Sequence, residues 1–396
     1  MSLNNTPAAD RIHIGIFGRR NAGKSSVINA ITDQNLAIVS EVKGTTTDPV
    51  LKTMELLPLG PVMIIDTPGL DDVGELGALR IQKAYQILNK TDIAVLIVDG
   101  TLGMTPEDEA ILARIKDKKI PWVIVMNKLD MVSPPEKTID KDTIWVSAKT
   151  GENIYELKEL IASHAPVEDP SHRIVGDLLA PLDFVVLVVP IDKAAPKGRL
   201  ILPQQQTIRD ILEAGAVPIV VRDTELSDTL AKLGQAPRMV ITDSQAFALV
   251  SKVTPEAVPL TSFSILFARY KGLLSAAVEG ARLLDRLEDG DRVLISEGCT
   301  HHRQCDDIGT VKLPRMVKAF TGKDLTFEFT SGTEFPLDLA GYRLIIHCGG
   351  CMLNDREMRY RLKCAQDAGI PMTNYGIVMA HIQGILERSI DVFDTL

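Results

Sequence analysis

Gly18-Arg19-Arg20-Asn21-Ala22-Gly23-Lys24-Ser25 follows the pattern G-x-x-x-x-G-K-[ST], a spacing suited to holding a chain of phosphates. Its glycines let successive backbone N–H groups turn onto an anion. A helix opening at the end of the loop, through Ser25 and Ser26, adds its positive N-terminal field. Lys24 is placed to reach the β- and γ-phosphates, and the Ser25 hydroxyl to ligate Mg²⁺. The bland alternative is a glycine-rich turn without a ligand.

Three later segments weigh against that alternative. Asp66-Thr67-Pro68-Gly69 follows an apolar run and offers a carboxylate that holds Mg²⁺ through water. Asn127-Lys128-Leu129-Asp130 puts a carboxylate where guanine N1–H and N2–H₂ can donate to it. Adenine lacks those donors, and an unpaired buried acceptor costs about 1–3 kcal/mol. Ser147-Ala148-Lys149 presents a backbone N–H to the guanine carbonyl. In order and spacing the four segments resemble the translation-factor-like GTPases of the TrmE–Era–EngA type. That resemblance implies a catalytic set of Lys24, Ser25, Thr46, Thr47, Asp66 and Gly69, with Ser25, Thr47 and Asp66 around Mg²⁺ and one of the two threonines closing over the metal. Residue 70 is Leu, where Ras-like proteins carry a water-orienting glutamine. Asn21 matches a residue that helps hold K⁺ in potassium-activated relatives; its plain alternative is a loop-capping side chain.

A second group of chemistry-bearing residues lies late in the chain: Cys299-Thr300-His301 and His347-Cys348-Gly349-Gly350-Cys351. Cys351 is expected to open a helix, where thiols ionise readily and an anionic cluster is favoured. Three readings fit: a thioredoxin-like thiol pair, a Cys₃His zinc site, or three thiolates holding a [4Fe–4S] cluster with an exchangeable fourth position. Cys305 and Cys364 fall outside the pattern.

The elements that must position these residues are α/β throughout. Ile12–Phe17, Val62–Ile65, Ile93–Val98, Trp122–Met126 and Thr143–Val146 read as strands alternating with helices, hence a mostly parallel sheet. Pro166 to Pro170 reads as a linker. A second alternating unit begins near Phe184, Ser262–Leu287 reads as one long helix, and a third region starts near Asp291. No internal sequence repeat is evident. The fold class is therefore a P-loop GTPase domain followed by two smaller α/β domains.

The 396 residues suit two or three domains, and 45% hydrophobic with 24% charged residues is ordinary for a cored protein. A net charge of −9 argues against a polyanion, so no nucleic-acid partner is expected. The start lacks a secretory pattern and the apolar runs are shorter than the ~20 residues of a bilayer span. No membrane partner and a cytoplasmic location are expected. In a reducing compartment five cysteines are not a disulfide framework.

Joined behind a GTPase domain, the C-x-H…H-C-x-x-C arrangement resembles the [FeFe]-hydrogenase maturation GTPases, along the whole chain. The resemblance implies a GTPase domain over 1–165, a dimerisation domain over 171–262 and an iron–sulfur cluster-binding domain over 263–396. Cys299, Cys348 and Cys351 would be the cluster ligands. His301 and His347 would supply or shape a weak fourth position, or hydrogen-bond the site from behind. It further implies GTP, Mg²⁺ and K⁺ as cofactors, a transient diiron subcluster as cargo, and a homodimer. The partners would be two radical-SAM maturases and apo-[FeFe]-hydrogenase. The rivals are an RNA-modification or ribosome-assembly GTPase with a structural zinc module, and a thiol-switched GTPase.

Overall fold

A computed structural model describes residues 11–32, 50–67, 87–133, 137–165, 173–191, 200–298, 307–332, 335–336, 338–351 and 353–393. The chain forms two compact units, divided between Val167 and Glu168. Among the described residues no helix is long and apolar enough to cross a membrane.

The first unit is built on β1 (Ile12–Phe17), α1 (Lys24–Thr32), β2 (Val50–Leu56), β3 (Gly60–Asp66), β4 (Ile93–Asp99), α2 (Pro106–Asp117), β5 (Trp122–Asn127), β6 (Thr143–Trp145) and α3 (Ile154–Ser163). The sheet runs β2-β3-β1-β4-β5-β6, parallel except where β2 pairs antiparallel with β3. Its strands are apolar on both faces because each divides its side chains between two cores. Ile14, Ile16, Val95, Ile97, Val123 and Val125 enter one core, and Phe17, Leu96, Val98, Ile124 and Met126 the other. The order reverses beside β1, and the crevice outside the carboxyl end of that strand is where such sheets bind ligands. Sequence pattern missed β2, an edge strand with Lys52, Thr53 and Glu55 among its apolar residues.

The second unit holds two four-stranded parallel sheets. The first comprises β7 (Phe184–Val188), α4 (Leu202–Glu213), β8 (Val217–Val221), α5 (Leu226–Lys232), β9 (Met239–Thr242), α6 (Phe247–Val253) and β10 (Leu260–Ser262), followed by α7 (Phe263–Tyr270) and α8 (Leu274–Arg282). The second comprises β11 (Arg292–Ser296), α9 (Leu313–Thr321), β12 (Thr326–Thr330), β13 (Leu344–His347), α10 (Asp355–Asp367) and β14 (Met372–Asn374), followed by α11 (Tyr375–Ile382) and α12 (Leu386–Ile390). Both sheets place the second strand first, then the first, third and fourth.

The likeness extends to detail. Helices α4 and α9 both begin Leu-Pro, the proline using its fixed φ where no N–H partner is needed. Ser262 and Asn374 each end a last strand and cap the helix that follows, accepting from Ile265 N at 3.2 Å and Ile377 N at 2.8 Å. Gly272 and Gly384 end those helices at φ of +69° and +70°. Each pair lies 112 residues apart. The fold is therefore repeated, although the sequence scarcely is. The long helix expected over Ser262–Leu287 is broken by Gly272 into α7 and α8, with a 3₁₀ turn over Leu283–Arg286, because a left-handed glycine ends a helix.

The halves also exchange their last helices: α8 packs on β14 and α12 on β10, while α7 and α11 pack on each other. Arg388 on α12 donates to the carbonyls of Ser251 (3.1 Å), Thr254 (3.0 Å) and Pro255 (2.8 Å) ahead of β10. One core accordingly mixes Val186, Ile241 and Leu266 with Ile377, Leu386 and Ile390.

Candidate functional site

In the first unit the phosphate loop leaves β1 at Gly18, whose φ is +140°. A Cβ there would lie 2.2 Å from the Ile97 carbonyl oxygen. Gly23 has φ +95°, and its Cβ would lie 2.2 Å from Asn127 Nδ2. Only glycine fits either position. Asn21 also takes a left-handed φ of +62° and is exposed with Ser25 and Ser26. Lys24 Nζ donates to Gly18 O and Arg19 O, both at 2.9 Å, so the ammonium is held over the loop.

Asn127 joins the nucleotide segments, donating to Ala22 O at 3.0 Å and accepting from Ala148 N at 3.2 Å. Asp130 accepts from Ser147 Oγ at 2.8 Å and has Lys149 Nζ at 3.7 Å. Lys128 donates to Asp99. Burial opposes ionisation of Asp99, and the hydrogen bonds from Lys128 and Thr101 still hold its carboxyl below the usual range. Asp66 Oδ1 is buried and has no hydrogen-bond partner among the described residues. Burial pushes the Asp66 carboxyl up, against the charges of Lys24 and Lys52. A buried acceptor of this kind beside the phosphate loop is suited to a hydrated Mg²⁺. Thr67, absent from the expected set, donates its hydroxyl to Ile16 O at 2.7 Å and ties the Asp66 strand end to β1. The resulting cleft is about 820 Å³ and is lined by Lys24, Asp66, Asn127, Asp130 and Lys149 among others. Thr46, Thr47 and Gly69 lie outside the described residues.

In the second unit the cysteine segments leave the two central strands, where the strand order reverses. After β11 comes Glu297-Gly298-Cys299, and after β13 comes Cys348. Cys348 Sγ accepts from Gly298 N at 3.0 Å and Gly350 N at 3.4 Å. The chain is thus led to Cys348 at the residue before Cys299. Gly350 has φ +62° and a Cβ there would lie 2.5 Å from Met358 Sδ. Cys299, His301 and Cys305 lie outside the described residues. Among the described residues no group of three His, Cys, Asp or Glu side chains is arranged to hold a metal.

Two expectations change here. Cys351 does not open a helix: Asn354 is the N-cap, accepting from Glu357 N at 3.0 Å, and α10 begins at Asp355. Burial pushes the Cys348 thiol above its ordinary value, against the amide donors of Gly298 and Gly350. His347 has no nitrogen to offer as a fourth ligand. Its Nδ1 bonds Cys348 O at 2.7 Å and its Nε2 meets Arg361 Nη1 at 3.0 Å. Sequence reasoning also passed over Arg361, Glu357 and Lys271, all buried around this loop. The one available signal was Arg361 on the same stripe as Met358 and Ala365.

Comparison with known proteins divides along the chain. Residues 13–128 match the family described as 50S ribosome-binding GTPase, residues 174–272 the hydrogen maturase F dimerization domain, and residues 275–392 the hydrogen maturase F tetramerization domain. Among curated proteins, the tRNA modification GTPase MnmE of Nitrosospira multiformis is 38% identical over 157 residues, covering 37% of this chain and 34% of that protein. MnmE of Legionella pneumophila (strain Corby) is 39% identical over 150 residues, covering 37% and 33%. The chain thus spans about a third of the length of the curated relatives it matches. Among solved structures, Era in complex with MgGDPNP and a 16S ribosomal RNA segment aligns at 21% identity and TM-score 0.35, covering 53% of this chain and 92% of that one. A probable GTP-binding protein engB aligns at 26% identity and TM-score 0.32, covering 38% and 97%.

The phosphate loop, the Asp66 carboxylate and the Asn127–Asp130 segment on a doubly wound sheet, together with the family match, define the first unit as a P-loop GTPase domain, here followed by two α/β halves. Those halves carry both oligomerisation domains of one family, and the chain belongs to it: hydrogen maturase F.

Proposed function

We propose that the chain is a GTP-hydrolysing scaffold for [FeFe]-hydrogenase maturation. It holds a [4Fe–4S] cluster on Cys299, Cys348 and Cys351, and carries a diiron precursor from two radical-SAM maturases to apo-[FeFe]-hydrogenase. The observation that carries this reading is Cys348 Sγ collecting the amides of Gly298 and Gly350 at the carboxyl ends of two central strands. The position is the ligand crevice of such sheets, and amide donors to sulfur are what a thiolate-held cluster requires. Gly349, between Cys348 and Gly350, has open space where a side chain would stand, which suits a bulky group.

The residues divide the work. Lys24 and the loop amides bind phosphates, Ser25, Thr47 and Asp66 surround Mg²⁺, and Asp130 with Ala148 N reads guanine. Asn21 assists a K⁺ ion. Cys299, Cys348 and Cys351 ligate, and His301 remains the histidine for the fourth position. When bound, the cluster supplies an exchangeable coordination position for cargo. The protein works as a cytoplasmic homodimer that can assemble further, without nucleic-acid or membrane partners. The RNA chemistry named for the curated relatives is not carried over, because the likeness ends with the GTPase domain.

Anaerobic reconstitution with iron and sulfide, followed by metal analysis and EPR after reduction, tests the cluster. About four irons per chain and a [4Fe–4S] signal, both lost in Cys348→Ala, are expected. Stoichiometric zinc without iron uptake would instead leave a GTPase with a structural zinc module.

A further inference from the structure

Lys271 stands at the junction of α7 and α8, in the first half of the duplicated fold, yet its side chain serves the second half. It is 5% exposed, and its Nζ donates to Gly350 O at 2.8 Å and Leu353 O at 3.1 Å. Asp355 Oδ1 lies 4.0 Å away. Apolar Phe267, Leu273, Ala277, Met358 and Met372 surround its path, beside a cavity of about 20 Å³. Burying an ammonium against such walls is costly. A methionine would fill the same tunnel without that cost, so packing alone does not account for the charge.

The duplicated half provides an internal comparison. Lys271 and Gln383 occupy the same place, each just before the left-handed glycine that ends its helix. Helix α11, which leads to Gln383, packs on the turn Ser244–Ala246 after β9, the counterpart of the loop after β13. That counterpart loop has no cysteine. The charged residue faces the cysteine loop, and the neutral one ends a helix that packs on the turn without cysteines.

We propose that Lys271 is a positioning residue for the cluster site: it clamps the Gly350 and Leu353 carbonyls and supplies positive charge beneath the Cys348–Cys351 loop. In a trans peptide C=O and N–H point in opposite directions. Holding the Gly350 carbonyl therefore turns the Cys351 N–H away from Lys271. The same ammonium favours the more negative, reduced state of a cluster on these thiolates and raises its potential. Because the helices are exchanged, Lys271 also ties the dimerization half to the cysteine loop.

The inference rests on the cluster reading, and the test separates the two. Wild type, Lys271→Met and Lys271→Gln are reconstituted anaerobically as full chains, and iron content and the EPR-monitored reduction potential are measured. Lys271→Met is expected to lose iron several-fold. Lys271→Gln keeps a donor for the carbonyls and is expected to load iron with a more negative potential. GTP hydrolysis is expected to be unchanged in both. Unaltered iron content and potential in Lys271→Met would overturn the assignment. If that variant fails to fold, an unaltered potential in Lys271→Gln does so. Wild type that takes up no iron removes the cluster reading and this assignment together.

Discussion

Arg361 donates through Nη1 to His347 Nε2 at 3.0 Å, and both residues are wholly buried. Arginine has no acceptor, so Nε2 carries the lone pair and Nδ1–H donates to Cys348 O at 2.7 Å. Burial, and then the Arg361 charge, hold the imidazole neutral, with its pKa lowered to about 3. Arg361 also reaches Glu357 Oε1 at 2.9 Å, Gly332 O at 2.9 Å and Ser296 Oγ at 3.3 Å, over the Phe335 ring. One guanidinium thus joins β11, β13 and α10 behind the cysteine loop, and fixes the Cys348 peptide through His347.

Removing that guanidinium leaves Glu357 buried without its charge partner. Arg361→Met is expected to destabilise the second unit by about 3–5 kcal/mol, and Glu357→Gln added to it to restore part of the loss. Both tryptophans, Trp122 and Trp145, lie in the first unit. The far-UV circular dichroism transition should therefore shift in urea while the tryptophan transition stays.

A neutral buried histidine also sets a pH dependence for the metal-free chain. With its folded pKa near 3 and an unfolded value near 6.5, the unfolded chain binds the extra proton between those limits, so stability falls as pH falls through that window. The contribution of His347 is at most about 1.4 kcal/mol per pH unit. His347→Gln should flatten the decline measured by urea denaturation at pH 7 and 5. Equal slopes in variant and wild type would show that His347 is protonated in the folded chain.

The proposed guanine reader, Asp130, is held by Ser147 Oγ at 2.8 Å. Asp130→Asn exchanges an acceptor for a donor facing guanine N1–H and N2–H₂. GTP affinity should fall on the order of 100-fold, about 3 kcal/mol, while xanthosine triphosphate, with an acceptor at that edge, gains. Competition between the two nucleotides measures both changes.

Gly23→Ala strains a φ of +95° and drives a methyl group into Asn127 Nδ2, 2.2 Å from the Cβ position. That amide holds Ala22 O and Ala148 N together. Nucleotide binding should drop by at least about 100-fold, with the second unit's unfolding unchanged. Calorimetric titration with GDP reads the binding.

The GTPase fold was legible in sequence because its signature segments are short, contiguous and dictated by backbone geometry. Gly18, Asp66 and Asn127 stand at strand ends, Gly23 directly before α1, and Asp130 in the short turn after β5. The edge strand β2 was not legible, because Lys52 and Glu55 interrupt the apolar signal in an element solvated on one side. Nor was the duplication, whose signal lies in topology and in positions such as Pro259 and Pro371, Thr261 and Thr373, or Gly272 and Gly384. Lys271 was not legible, and Arg361 only through its stripe with Met358 and Ala365, since their burial follows from the helix exchange and from packing between distant segments. The cysteine pattern stands out in the sequence, Cys299 lies outside the described residues, and the surroundings of Cys351 and His347 depended on a helix start and a hydrogen-bond partner that spacing does not specify.

The most direct test of the account is in vitro activation of apo-[FeFe]-hydrogenase by this chain purified after coexpression with two radical-SAM maturases. Hydrogen evolution should appear with the wild-type chain and vanish with Cys348→Ala, although both hydrolyse GTP. Equal activation by the two, or none by a wild-type chain that holds its iron, would contradict the scaffold role.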